Sequence, residues 1–254
     1  MQQKLLYETI NSVGSLEMER IKNSFNHWTK YDFTWLLIAN LTVLALGLYC
    51  NDSIISIISS LAGVTSVIFI SKQMTSNFIF GLINAITYSY IAFKSQIYGE
   101  YMLNLFYFIP MQIIGYYIWS KNKRIEGRKE VKYLTTKHKE EVVFIITMII
   151  MTYAYILKLL GGKMPLTDAI STVLSVIAML LMVHQYIEHW YLWIISNIVS
   201  IIIWAVSITR GTGELATLIM WIIYLLNSIF GLYNWKKYEN SNSIKIKKEE
   251  KDAK

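Results

Sequence analysis

Trp190, Trp193 and Asn197 stand at positions i, i+3 and i+7 of an uncharged stretch, so a helix lines all three along one face. Such a face suits a flat, neutral or cationic ring with a polar handle. Indole faces attract a cation by about 0.5–2 kcal/mol, and an amide reads a carboxamide or ribose hydroxyls. The pattern recurs: at an offset of 113 residues, Asn77, Phe80 and Asn84 occupy the matching positions, with Tyr88 one turn further along the same face. A membrane-embedded amide is costly without a partner, and packing alone does not require one at both Asn84 and Asn197. Trp221, Tyr224 and Asn227 add similar groups, as do Tyr107 and Gln112, with Gln112 and Asn227 corresponding within one residue of the repeat. At about 100° per residue, Tyr107 and Gln112 point roughly 140° apart, so only one faces a given site. Each residue also has a plainer role taken alone. Trp190 can anchor a helix at the membrane interface, and a single Asn can bond a neighbouring helix. Asn40, which has no repeat counterpart, is assigned to packing.

The missing groups narrow the chemistry. Glu100, Asp168 and Glu214 fall at the ends of apolar stretches, and His184 lies at an edge, so no ionisable side chain is expected mid-helix. Ion-coupled carriers place such a group, or an ion cage, beside their substrate. The expectation is therefore a facilitator that moves its solute down a gradient. No metal-ligand spacing links the four His and the single Cys50, and no Gly-x4-Gly-Lys-Ser/Thr loop is present. No catalytic residue, metal or cofactor is expected. A phosphorylated solute would need Lys or Arg in the core, so the solute reads as an unphosphorylated aromatic such as a nucleoside or vitamin.

The elements that hold these residues are membrane spans. The 254 residues are 54% hydrophobic and 16% charged, too apolar for a soluble domain. Uncharged stretches at about 34–50, 53–71, 77–95, 101–119, 141–160, 167–185, 190–209 and 213–235 are each long enough to cross a bilayer core of about 30 Å. With the N-terminus inside, 20 of the 24 Lys and Arg fall on the cytoplasmic side, as the positive-inside rule requires. Both termini are then cytoplasmic, in the cell inner or plasma membrane. The net charge of +7 is accounted for by basic flanks facing anionic lipid, so nucleic acid is not an expected partner. The first apolar run begins at Phe33 without a small-residue cleavage site, so no secretory signal is read.

The chain divides into a polar segment (1–33), an extra N-terminal helix (34–50), a first three-helix repeat (53–119), a basic loop and linker helix (120–166), a second three-helix repeat (167–235) and a lysine-rich cytoplasmic tail (236–254). The order can also be read as four plus four. Matching helices lie four crossings apart, so the fold class is an all-α polytopic membrane protein with a parallel 3+1+3 repeat, and such repeats enclose a solute pathway. Ser59 and Gly63, and Ser171 and Ser175, are small residues four apart that pack helices within each unit. Pro110 predicts a kink in the fourth span.

GLIN, IAFKSQIYGE and FYFIPMQIIGYYIW within 77–119, and DAISTVLSVIAMLLM, HWYLWIISN and GLYNW within 168–235, resemble the two halves of the PnuC-type vitamin transporters. The resemblance covers about residues 53–237, and W-x-x-W-x-x-x-N is its most specific motif. It implies a fold related to the SWEET transporters, homotrimers, and facilitated diffusion of nicotinamide riboside, which a cytoplasmic riboside kinase then traps by phosphorylation. Trp190, Trp193 and Asn197 match the family's substrate-binding motif, and Asn84, Tyr88 and Gln112 match its first-half counterparts. Asn77 departs from it, since many members carry Trp near the start of that helix. Relatives that carry thiamine or riboflavin are not separated by these motifs, and thiamine is also a cation. A membrane enzyme lacks a nucleophile, base or metal here, and a sensor lacks a soluble output domain.

Overall fold

The computed structural model describes residues 28–95, 98–121, 131–159 and 165–252, together with Phe25 and the backbone of the pairs 124–125 and 128–129, with side chains as far as Tyr238 except at 98–99. The polar segment at 1–24 lies outside the described residues. Among the described residues eight helices follow in chain order: α1 (Lys30–Tyr49), α2 (Ile54–Ser71), α3 (Asn77–Lys94), α4 (Tyr98–Lys121), α5 (Thr136–Leu159), α6 (Pro165–Val183), α7 (His189–Thr209) and α8 (Leu215–Asp252). Six of them, all but α3 and α4, are long and apolar enough as uninterrupted helices to cross a membrane.

Three features depart from the expected outline. A two-residue antiparallel ladder, Arg124–Ile125 against Arg128–Lys129, lies in the basic loop. The last helix runs through most of the lysine-rich tail to Asp252 instead of ending near Trp235, because Lys, Glu and Ile there are helix-tolerant residues with no Gly or Pro to stop them. The fourth span is a composite of α-helix over Tyr98–Leu103, a π-helical turn over Asn104–Phe108, and α-helix over Ile109–Lys121. Pro110 has no N–H to return to the preceding turn, and the widened turn ends two residues before it.

The helices close into two interlocked units. In the first, α3 packs on α2 and α4, and in the second, α7 packs on α6 and α8. Each unit's last helix also reaches across, α8 onto α2 and α4 onto α6. The repeat is visible in the backbone. Gln73 and Gln185, 112 residues apart, both adopt positive φ, at 55° and 67°. They end α2 and α6 in the same way, with Met74 N–H donating to Phe69 O and Tyr186 N–H to Leu181 O. Helix α1 belongs to the core: Ala39 and Val43 are buried with Val64, Tyr88, Trp204 and Trp221. Asn40 is held there by Leu36 O, at 2.9 Å, and by Thr65, whose hydroxyl donates to it at 3.3 Å.

Candidate functional site

The register of the repeat decides which side chains face one another. The turn at Gln73 and Gln185 sets it at 112, not 113, so Asn77 is the counterpart of His189 and Phe78 that of Trp190. Packing agrees. Asn77 Nδ2 donates to Met74 O at 2.6 Å, and His189 Nδ1 lies 2.6 Å from Tyr186 O, each bonding three residues back at its helix start. Phe78 meets Trp119 edge-on at 5.1 Å, as Trp190 meets Trp235 at 5.8 Å. Gly115 and Gly231 make room for these rings; a Cβ on them would lie 2.2 Å from Phe78 and 2.3 Å from Trp190. Phe78 therefore fills the aromatic position, and Asn77 is a buried helix-start residue outside the cavity.

A cavity lies where α2, α3 and α4 face α6, α7 and α8, with a volume of about 90 Å³, several times the roughly 10–15 Å³ that one water needs. Eight of the ten expected site residues reach it. Trp190, Trp193 and Asn197 line it from α7, Asn84 and Tyr88 from α3, Gln112 from α4, and Trp221 and Tyr224 from α8. Asn227 does not line it. Its Nδ2 donates to Val67 O at 2.6 Å and so ties α8 to α2. Tyr107 also turns away, its hydroxyl donating to Val176 O of α6 at 2.7 Å, while Gln112 faces inward.

The amides differ in what they leave free. Ser228 donates its hydroxyl proton to Tyr224 O at 2.8 Å, so it can only accept from Asn197 Nδ2, at 2.9 Å. That orients the amide, and Asn197 Oδ1 is left buried without a partner among the described residues. Gln112 Oε1 is in the same condition. Asn84, by contrast, is already committed: Nδ2 donates to Ser59 O at 2.9 Å, and Oδ1 takes a long contact of 3.5 Å from the Tyr224 hydroxyl. Asn84 and Asn197 are thus not equivalent. In the 112 register Asn197 corresponds to Ala85 and Trp193 to Gly81, so the second half supplies bulk where the first supplies space. A Cβ on Gly81 would lie 2.6 Å from Gln112 Oε1. The small pairs hold the walls together, Ser175 bonding Ser196 at 2.7 Å and Ser171 bonding Ser200 at 3.3 Å. Gly63 does more than pack within its unit, since a Cβ there would strike the Tyr224 hydroxyl of α8 at 2.0 Å.

Aromatic rings line the rest of the space. Trp193 stands 6.3 Å from Phe108, tilted by 35°. Tyr88 is held by Trp204, whose indole N–H donates to its hydroxyl at 2.7 Å, and meets Trp221 at 6.0 Å. The π-helical turn presents Asn104 and Phe108 to the cavity. Among the described residues no Lys or Arg lines it, but one carboxylate does. Glu100 is buried there and accepts a hydrogen bond from Ser171 at 3.2 Å. Its position at a helix end was expected, and its burial in the cavity was not. Glu100 is near a helix end in sequence, but α6 packs over it. The recurrence of Gly99-Glu100 as Gly213-Glu214 was the available signal. Among the described residues no three His, Cys, Asp or Glu side chains gather into a metal cage.

Residues 53–237 match the family described as nicotinamide mononucleotide transporter. The chain belongs to this family. It is 32% identical over 225 residues to the nicotinamide riboside transporter PnuC of Neisseria mucosa, covering 86% of each chain. The nicotinamide riboside transporter PnuC of Haemophilus influenzae is 34% identical over 222 residues, which are 86% of this chain and 95% of the relative. The crystal structure of the vitamin B3 transporter PnuC matches with a TM-score of 0.77 at 32% identity, over 85% of this chain and 95% of that one. As a PnuC-family member the chain is a multi-pass membrane transporter and not an enzyme. Its family match begins at α2, so α1 stands outside the matched region although it shares the core.

Proposed function

We propose that this chain imports nicotinamide riboside through the cavity between its two units, by facilitated diffusion. The names of the family and of its relatives differ by a phosphate group, and the cavity favours the unphosphorylated form. Among the described residues no Lys or Arg lines it to pair with a phosphate, and a carboxylate, Glu100, does line it and repels one. That absence of cationic side chains carries the reading. The free Asn197 Oδ1 and Gln112 Oε1 are acceptors suited to a carboxamide or ribose hydroxyls, and Trp193 and Trp221 offer faces to the cationic ring.

The remaining parts of the reading rest on the family resemblance and on charge distribution. The protein sits in the cell inner or plasma membrane with both termini cytoplasmic, as its basic loop and tail favour. It assembles as a homotrimer. In support, α5 buries Ile146 against Val173 and Leu174 of α6 and leaves Phe144, Met148, Met151 and Tyr155 exposed as an apolar face. A cytoplasmic riboside kinase traps the product by adding the phosphate that the cavity rejects.

The test is uptake into proteoliposomes with no ion gradient imposed. Nicotinamide riboside should equilibrate across the membrane, while nicotinamide mononucleotide and thiamine do not compete. Competition by the mononucleotide would overturn the choice of cargo. Uptake that requires a proton or sodium gradient would overturn facilitated diffusion.

A further inference from the structure

The carboxylate in the cavity has no protein cation to answer. Glu100 is 7% exposed, and among the described residues no Lys, Arg or His forms an ion pair with it. Its Oε1 accepts from Ser171, and it shares the cavity wall with Tyr88, Asn104 and Trp221. A carboxylate withdrawn from water is costly unless a positive charge joins it. A structural bridge alone does not need this placement. The repeat counterpart Glu214 makes a similar link, accepting from Ser53 at 3.1 Å, yet it stays partly exposed and away from the cavity.

We propose that Glu100 supplies the counter-charge for the ring of a cationic substrate and so makes the site select a permanent cation over its neutral analogue. The proposal rests on the nicotinamide riboside reading above and adds to it the residue that reads the charge. A pyridinium cannot lose its charge by shedding a proton, so entering a water-poor cavity costs it hydration that only a fixed negative group or an aromatic face can replace. The aromatic walls contribute to binding both the cation and a neutral ring of the same shape. The carboxylate discriminates between them. Ser171, itself bonded to Ser200, holds Glu100 to α6 and sets where the charge sits.

The experiment compares nicotinamide riboside with its dihydro form, which keeps the ribose and carboxamide but has a neutral ring. Binding of each is titrated on the purified full chain, as wild type, Glu100→Gln, Glu100→Asp and Glu214→Gln. The wild type should bind the cation at least tenfold more tightly than the dihydro form. Glu100→Gln should weaken cation binding by tenfold or more and leave dihydro binding within threefold, so that the preference collapses. Glu100→Asp should keep most of the preference, and Glu214→Gln all of it. Equal affinity of the wild type for both forms overturns the proposal without any variant, which guards against a Glu100→Gln protein that does not fold. A preference that survives in folded Glu100→Gln assigns charge reading to the aromatic faces and overturns it too, as does equal loss of both ligands. If the wild type binds neither form, the cargo reading itself fails, an outcome distinct from all of these.

Discussion

Ser228 fixes the orientation of Asn197. The serine hydroxyl accepts from Asn197 Nδ2 at 2.9 Å while its own proton goes to the Tyr224 carbonyl at 2.8 Å, so a side chain on another helix holds the amide and leaves its oxygen buried without a partner among the described residues. Sequence spacing identifies Asn197 but not the partner that orients it, because the two are joined only where α7 meets α8.

Asn197→Leu is therefore expected to abolish saturable binding while the protein remains folded in the membrane. Leucine supplies neither the donor for Ser228 nor the acceptor for substrate. Ser228→Ala should have a smaller effect. It removes one hydrogen bond, worth about 0.5–1.5 kcal/mol, and frees the amide to rotate, so affinity should fall by roughly two- to tenfold. Tryptophan fluorescence titrations on detergent-purified variants measure both effects. Unchanged affinity in Asn197→Leu would remove α7 from the site.

The glycines of the repeat carry a stability prediction. A Cβ on Gly231 would lie 2.3 Å from the Trp190 indole, and one on Gly115 would lie 2.2 Å from Phe78. Neither aromatic ring has space to retreat, since Trp190 is packed by Trp235 and His189, and Phe78 by Trp119. Gly231→Ala and Gly115→Ala should each destabilise by about 1–3 kcal/mol, the usual cost of overpacking. Their melting temperatures should fall together. Gly231→Ala should also weaken binding, because Trp190 lines the cavity whereas Phe78 does not. Equal effects of the two variants on affinity would contradict the asymmetry between the halves.

The eight helices were legible because hydrophobic length is a local property of the chain, and all but the last, which runs on to Asp252, end within a few residues of the expected bounds. The repeat was legible too, but its register slipped by one. Matching Asn77 with Trp190 and Asn84 with Asn197 maximises likeness of residue types, whereas the chain is aligned by its turns. The left-handed residues Gln73 and Gln185 fix the offset at 112. Asn84 and Asn197 consequently do different work, one bridging helices and the other keeping an acceptor without a partner among the described residues. Asn77 and Asn227 look like site amides in sequence but have carbonyl partners nearby, in Met74 and Val67. Glu100 was hidden for the opposite reason. Its place near a helix end suggested exposure, and only packing against α6 reveals it as buried.

The π-helical turn suggests a third experiment. Asn104–Phe108 is a wide turn that presents Asn104 and Phe108 to the cavity, and Pro110 lies two residues beyond it. Pro110→Ala restores the missing N–H and permits a continuous α-helix, which is better formed by Ala than by Pro by about 3 kcal/mol. Tightening the turn would rotate Asn104 and Phe108 relative to Gln112. The variant should therefore keep or gain thermal stability while binding more weakly by severalfold. A variant that binds as the wild type does would mean that the π turn is held by Asn104 and its contacts alone, through the 2.8 Å bond from Asn104 Nδ2 to Glu100 O.

Asp32 accepts the Thr29 N–H at 2.8 Å as part of a capping box and also pairs with Lys72 at 2.6 Å, with side-chain exposures of only 12% and 11%. Lys72 ends α2, so one carboxylate both starts α1 and ties it to the first repeat. Breaking a pair this sheltered leaves an uncompensated charge, which costs up to about 3 kcal/mol even with partial access to water. Asp32→Asn should lower the melting temperature markedly, and Lys72→Met should do the same. The double variant should be less destabilised than the sum of the two, because it removes the stranded charge together with its partner. Strict additivity would mean that the two side chains contribute independently and that α1 is held mainly by Ala39 and Val43 against the shared core. In either case, affinity for the solute should change little, since neither residue lines the cavity.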